Sequence, residues 1–201
     1  MKGSNWQVLR YPSTAIGMTR VGLLCFGIYW HAQERPLAFV GLVTLSILLD
    51  MVDGTVARHR GQESRFGEVF DFGIDLTTHS VLWILSGFAF APVMMALEWG
   101  AGISAFYLSV RWGDHWKALL LQSPVQLLRR YFSNRQRNWI AVFASISHFG
   151  FRITWYLGLG ETWQSDVFLP GTILFEVVTA YIIWFAWRSS FGKSQSPEDD
   201  H

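Results

Sequence analysis

Asp50, Asp53, Asp71 and Asp75 are the side chains in this sequence whose type and spacing best suit chemistry. The first two stand three residues apart and the last two four apart, so on helices each pair shares one face. Both pairs border long apolar runs. An aspartate carried into a bilayer costs roughly 2.5–3.5 kcal/mol on insertion scales, and four brought together repel one another. Such a set calls for cations. Oxygen ligands without His or Cys select a hard ion, Mg2+ or Mn2+, and four carboxylates suit two ions bridging a pyrophosphate. Gly54 and Gly67, close by in sequence, offer backbone without a side chain, where a nucleotide can approach. Nothing resembles an activated nucleophile, because His79 and His115 have no Ser or Cys at a telling spacing.

The elements that must hold these carboxylates follow from the distribution of apolar residues. The chain has 201 residues, 51% hydrophobic and 16% aromatic, with 11 Trp. Its mean hydropathy is only +0.23. That average hides segregation, since the charges cluster between apolar runs instead of alternating with them. Stretches of about 14–30, 36–53, 68–91, 93–115, 138–160 and 167–188 are each long enough to cross roughly 30 Å of hydrocarbon. The expectation is an all-α, polytopic membrane protein with about six transmembrane helices, a turn at Pro92 and both termini on one side. A soluble helical protein would show a polar stripe along each helix, and AFVGLVTLSILL and TILFEVVTAYIIWFAW show none. Lys2, Arg10, Arg58, Arg60, Arg65, Lys117, Arg129, Arg130, Arg135, Arg137, Arg188 and Lys193 fall on one side of these spans, against Arg35 on the other. The richer side is expected to be cytoplasmic, with the aspartates and both termini.

Residues 1–13 read as a cytoplasmic or interfacial segment without the order of a cleavable signal, 14–190 as one membrane domain, and 191–201 as a disordered polar tail. A single cysteine, Cys25, excludes an internal disulfide and a cysteine-built zinc site. A net charge of +1, with no basic stripe interleaved with aromatics, gives no sign of nucleic-acid binding. A cation or proton transporter using intramembrane aspartates is the competing class. It requires carboxylates near mid-bilayer, whereas these lie towards one face.

The pattern D-x2-D-G-x2-A-R-x8-G-x3-D-x3-D is matched without a gap by Asp50, Asp53, Gly54, Ala57, Arg58, Gly67, Asp71 and Asp75. In this the chain resembles the CDP-alcohol phosphatidyltransferases. The resemblance implies a six-helix membrane domain, a homodimer, and transfer of a phosphate-containing group from a CDP-linked donor to an alcohol with release of CMP. It also implies roles: Asp50, Asp53 and Asp71 as ligands of two Mg2+ or Mn2+ ions, and Asp75 as the general base that also touches the second ion. Gly54, Ala57, Arg58, Ser64 and Gly67 fall to the donor. Arg58 is open to a second reading, as a positive anchor on the cytoplasmic side.

Within the family, the chain is similar to the inositol-using members over most of its length. AIGMTR (Ala15–Arg20), SRFGEVFD (Ser64–Asp71), DHW (Asp114–Trp116) and LLRRYFSNR (Leu127–Arg135) carry that likeness. It departs at Ser13-Thr14 and around Val110–Asp114. CDP-diacylglycerol is the implied donor and myo-inositol the implied acceptor, with glycerol 3-phosphate, serine or inositol phosphate as same-reaction alternatives. Asp114, His115, Arg129 and Arg135 are the acceptor-side residues, the two arginines serving equally as a basic loop facing lipid headgroups. The implied setting is a bacterial inner membrane or the endoplasmic reticulum. Arg152 and Glu176, both inside apolar spans, are expected to pair.

Overall fold

A computed structural model describes residues 12–59, 65–112 and 116–191. Among them the regular elements are helical: α1 (Pro12–Ala32), α2 (Pro36–His59), α3 (Arg65–Ser86), α4 (Ala91–Trp112), α5 (Trp116–Leu120), α6 (Gln126–Phe132), a 3-10 turn at Ser133–Gln136, α7 (Trp139–Tyr156), α8 (Trp163–Asp166) and α9 (Leu169–Phe191). The chain divides into two compact units, Met1–Val81 and Leu82–His201. The all-helical expectation holds. The proposed segments 1–13 and 191–201 fall almost wholly outside the described residues.

In the first unit α1 and α2 form a helical hairpin. Glu34, at φ +57°, reverses the chain, and the Arg35 carbonyl accepts from the Ala38 and Phe39 amides. Pro36 then opens α2, where its missing N–H costs nothing. Along α1 the buried positions are Thr14, Gly17, Arg20, Leu24 and Gly27, a stripe of helical period, and α2 answers with Phe39, Val43 and Ser46. Gly17 is small for a reason. A Cβ there would meet the Phe70 ring at 2.8 Å, so its absence lets α3 lie close against α1.

In the second unit α4, α7 and α9 pack around a core that includes Ala101, Ala105, Ile140, Ala144, Val178 and Ile182. Short α6 docks on it through Leu128, Tyr131 and Phe132. Burial pushes the Tyr131 phenol above its ordinary pKa. Asn138 ties this region to α7: its side-chain oxygen accepts from the Ala141 amide at 3.1 Å, while its nitrogen donates to the Tyr131 and Ser133 carbonyls at 2.8 and 2.9 Å.

Some expected boundaries move. Helix α2 runs on through GTVARH to His59, beyond the 36–53 apolar stretch expected from sequence. Between α3 and α4 the reversal comes at Gly87, φ +67°, and not at Pro92, which lies in the first turn of α4. Only glycine enters that conformation cheaply, whereas proline is welcome where helix N–H groups have no partner. Two helical stretches among the described residues are long and apolar enough to cross a membrane, Ala91–Trp112 and Leu169–Ser190, with hydropathies of 1.4 and 1.6; Pro36–Asp50 is a shorter apolar helical stretch. The other long helices carry charges that lower their hydropathy, including Arg20 in α1, the aspartates of α2 and α3, and Arg152 in α7.

Candidate metal centre

Helix α2 presents Asp50 and α3 presents Asp71 and Asp75; Asp50 and Asp75 meet on one cation of the protein's own, with Asp71 within electrostatic reach of all three. Arg20 Nη1 donates to Asp50 Oδ1 at 2.6 Å, and Arg20 Nη2 donates to Asp75 Oδ1. Arg20 is 2% exposed, while the two carboxylates are 40% and 43% exposed, so the oxygens remain open to solvent on one side. Asp71 lies near enough to feel the charges of Arg20, Asp75 and Asp50. Carboxylates from two helices thus converge within the span of a single guanidinium.

That convergence is the test of whether this donor set fits divalent ions. The oxygens already gather about one positive group, they are hard donors, and they are exposed enough to exchange water for a ligand. They fit Mg2+ or Mn2+. Of the other expected residues in this unit, Asp53, Gly54, Ala57 and Arg58 lie on α2, with side chains outside the described residues, as is Ser64 altogether. Gly67 is in the first turn of α3 and half-buried.

The acceptor-side residues belong to the second unit. Asp114 and His115 lie outside the described residues, and Arg135 is in the 3-10 turn with its side chain undescribed. Arg129 is exposed on α6, and its Nη1 donates to the Ser123 carbonyl at 3.1 Å. One of its donors therefore pins the turn before α6.

Two kinds of residue escaped sequence reasoning. In the sequence Arg20 stands out only as the end of AIGMTR, although a cation in such an apolar run needs a counter-charge. In the second unit, Glu98 and His148 anchor a buried polar cluster. Glu98 Oε1 accepts from Trp83 Nε1 at 2.6 Å and lies 3.0 Å from His148 Nε2, and His148 Nδ1 lies 3.6 Å from Glu176 Oε1. His148 also stacks on Phe175 with centroids 4.0 Å apart. The expected Arg152–Glu176 pairing is present as mutual electrostatic attraction, without a hydrogen bond to either Glu176 oxygen among the described residues. Arg152 lies over the Trp83 and Phe149 rings and donates Nε to the His148 carbonyl at 3.1 Å. With carboxylates at opposite edges of one imidazole, Glu98, His148 and Glu176 form a buried polar network within the second unit.

The sequence profile of the CDP-alcohol phosphatidyltransferase family matches residues 13–189, and the chain belongs to that family. Among curated proteins it is similar to the CDP-diacylglycerol–inositol 3-phosphatidyltransferase of Saccharomyces cerevisiae, at 28% identity over 134 residues. The alignment covers 64% of this chain and 60% of that protein, so the chain spans well under two thirds of the relative's length. No solved structure matches the chain at a significant level.

Proposed function

We propose that this protein is an integral, multi-pass membrane enzyme that transfers a phosphatidyl group from CDP-diacylglycerol to an alcohol, myo-inositol in the first instance, and releases CMP. The observation that carries the reading is the meeting of Asp50 and Asp75 on one cationic position, with Asp71 within electrostatic reach, at the spacing of the family motif. Membership of the family and the likeness to the yeast protein support the donor and, more distantly, the acceptor.

Asp50, Asp53 and Asp71 would hold two Mg2+ or Mn2+ ions, with Asp75 reaching the second. When bound, the ions would neutralise the donor pyrophosphate and make CMP a better leaving group. Asp75 accepts the proton of the acceptor hydroxyl as its oxygen bonds to the β-phosphorus, the one esterified to diacylglycerol. The bond from that phosphorus to the bridging oxygen breaks, its electron pair leaves with CMP, and no covalent enzyme intermediate is needed. The family resemblance assigns Arg58 to the donor phosphates, and Gly54, Ala57, Ser64 and Gly67 to the nucleotide, where small residues would leave room for it. The likeness to inositol-using relatives assigns Asp114, His115, Arg129 and Arg135 to the acceptor, and their side chains are of the kinds that would hydrogen-bond a neutral polyol. The site and both termini face the cytoplasm.

The test is an acceptor panel. Purified protein with CDP-diacylglycerol and Mg2+ is offered myo-inositol, inositol phosphate, glycerol 3-phosphate or serine, and CMP and the lipid product are identified. Phosphatidylinositol from free myo-inositol is expected. CMP only with glycerol 3-phosphate or serine would keep the reaction and remove the inositol assignment.

A further inference from the structure

Arg20 comes from α1, outside the carboxylate-bearing helices, yet it bridges Asp50 of α2 and Asp75 of α3. It is almost fully buried, and a guanidinium does not give up its proton, so a full positive charge is fixed beside the oxygens that a divalent ion would need. Its planar fork sets one donor on each of two nitrogens at fixed spacing, one per carboxylate, where a lysine would offer only a point charge.

We propose that Arg20 is a built-in counter-cation of the centre, competing with the divalent ion for Asp50 and Asp75 and thereby setting the metal affinity. The inference rests on the two-ion reading above. The guanidinium keeps three helices joined and the carboxylates apart until an ion arrives. Binding the ion then requires Arg20 to yield at least one oxygen or to share both, against the repulsion of like charges. The centre is therefore held at weaker affinity than its four carboxylates alone would give. Asp75 is released from the guanidinium only as the ion loads, which couples availability of the base to metal occupancy.

The competition has a signature that a purely structural arginine would not produce. Mn2+ binding to purified protein in detergent, followed by loss of the free-ion electron paramagnetic resonance signal, is expected to be about 10-fold tighter or more in Arg20→Met than in wild type. Thermal unfolding in chelator should show the variant less stable than wild type, with saturating Mn2+ raising its Tm by more than it raises the wild-type Tm. Arg20→Lys keeps the charge without the fork and should bind Mn2+ about 3-fold tighter than wild type. It carries the test if Arg20→Met does not purify as folded protein. Mn2+ affinity equal to or weaker than wild type in the folded variant overturns the competition. A wild-type protein that binds no Mn2+ overturns the two-ion reading itself, and this proposal with it.

Discussion

Asp75 is engaged by a guanidinium and positioned beside two further carboxylates, which makes its two roles separable by substitution. Asp75→Asn keeps a hydrogen-bond acceptor for Arg20 and removes the base. Turnover should fall roughly 10²–10⁴-fold, with Mn2+ and donor affinity much less affected. Steady-state kinetics beside Mn2+ titration measures this, and unchanged turnover would move the base elsewhere, first to His79. Asp50→Ala should instead weaken Mn2+ binding, because a ligand is lost. The aspartate spacing was fully legible in the sequence, since three- and four-residue separations are local properties of a helix. Arg20's partners were not, because they lie 30 and 55 residues away and only tertiary packing brings them together. The same distance concealed the 50-residue link between Glu98 and His148.

Helix existence followed from apolar run length, and helix ends did not. GTVARH falls beyond the 36–53 apolar stretch because it holds a glycine and charged residues, yet α2 continues through it. Within a unit, close approach of helices depends on residues that no hydropathy scale marks. Gly171 of α9 faces Ser147 of α7, and a Cβ at that glycine would stand 2.2 Å from Ser147 Oγ and 2.4 Å from Ser147 Cβ. Gly171→Ala should therefore destabilise the α7–α9 contact by about 1–3 kcal/mol. Adding Ser147→Gly removes both clashing atoms and should restore part of the loss. Thermal unfolding in detergent of the two single variants and the double variant forms the cycle that measures it, and strict additivity would show that the two residues do not collide.

At the scale of the whole molecule, large apolar side chains face outward in both units, among them Leu37 at 75% exposure and Trp139 at 77%. In a membrane enzyme, as proposed, these side chains would meet lipid, so the chain is expected to stay with the membrane pellet through an alkaline carbonate wash and to enter solution only with detergent. Placement in lipid, as proposed, would also require partners for the buried charges among the described residues: Arg20 has the aspartates in the first unit, and Glu98, His148, Glu176 and Arg152 lie together in the second. Only the first set carries the family's spacing, and the central claim is that it is a divalent-metal centre for CMP release. The most direct measurement is CMP release from CDP-diacylglycerol and myo-inositol by protein stripped with chelator, then titrated with Mg2+ or Mn2+, beside Asp71→Asn. Release should be absent after stripping, return with either ion, and return weakly or not at all in the variant. Undiminished release from metal-free protein, or full recovery in Asp71→Asn, would contradict the account.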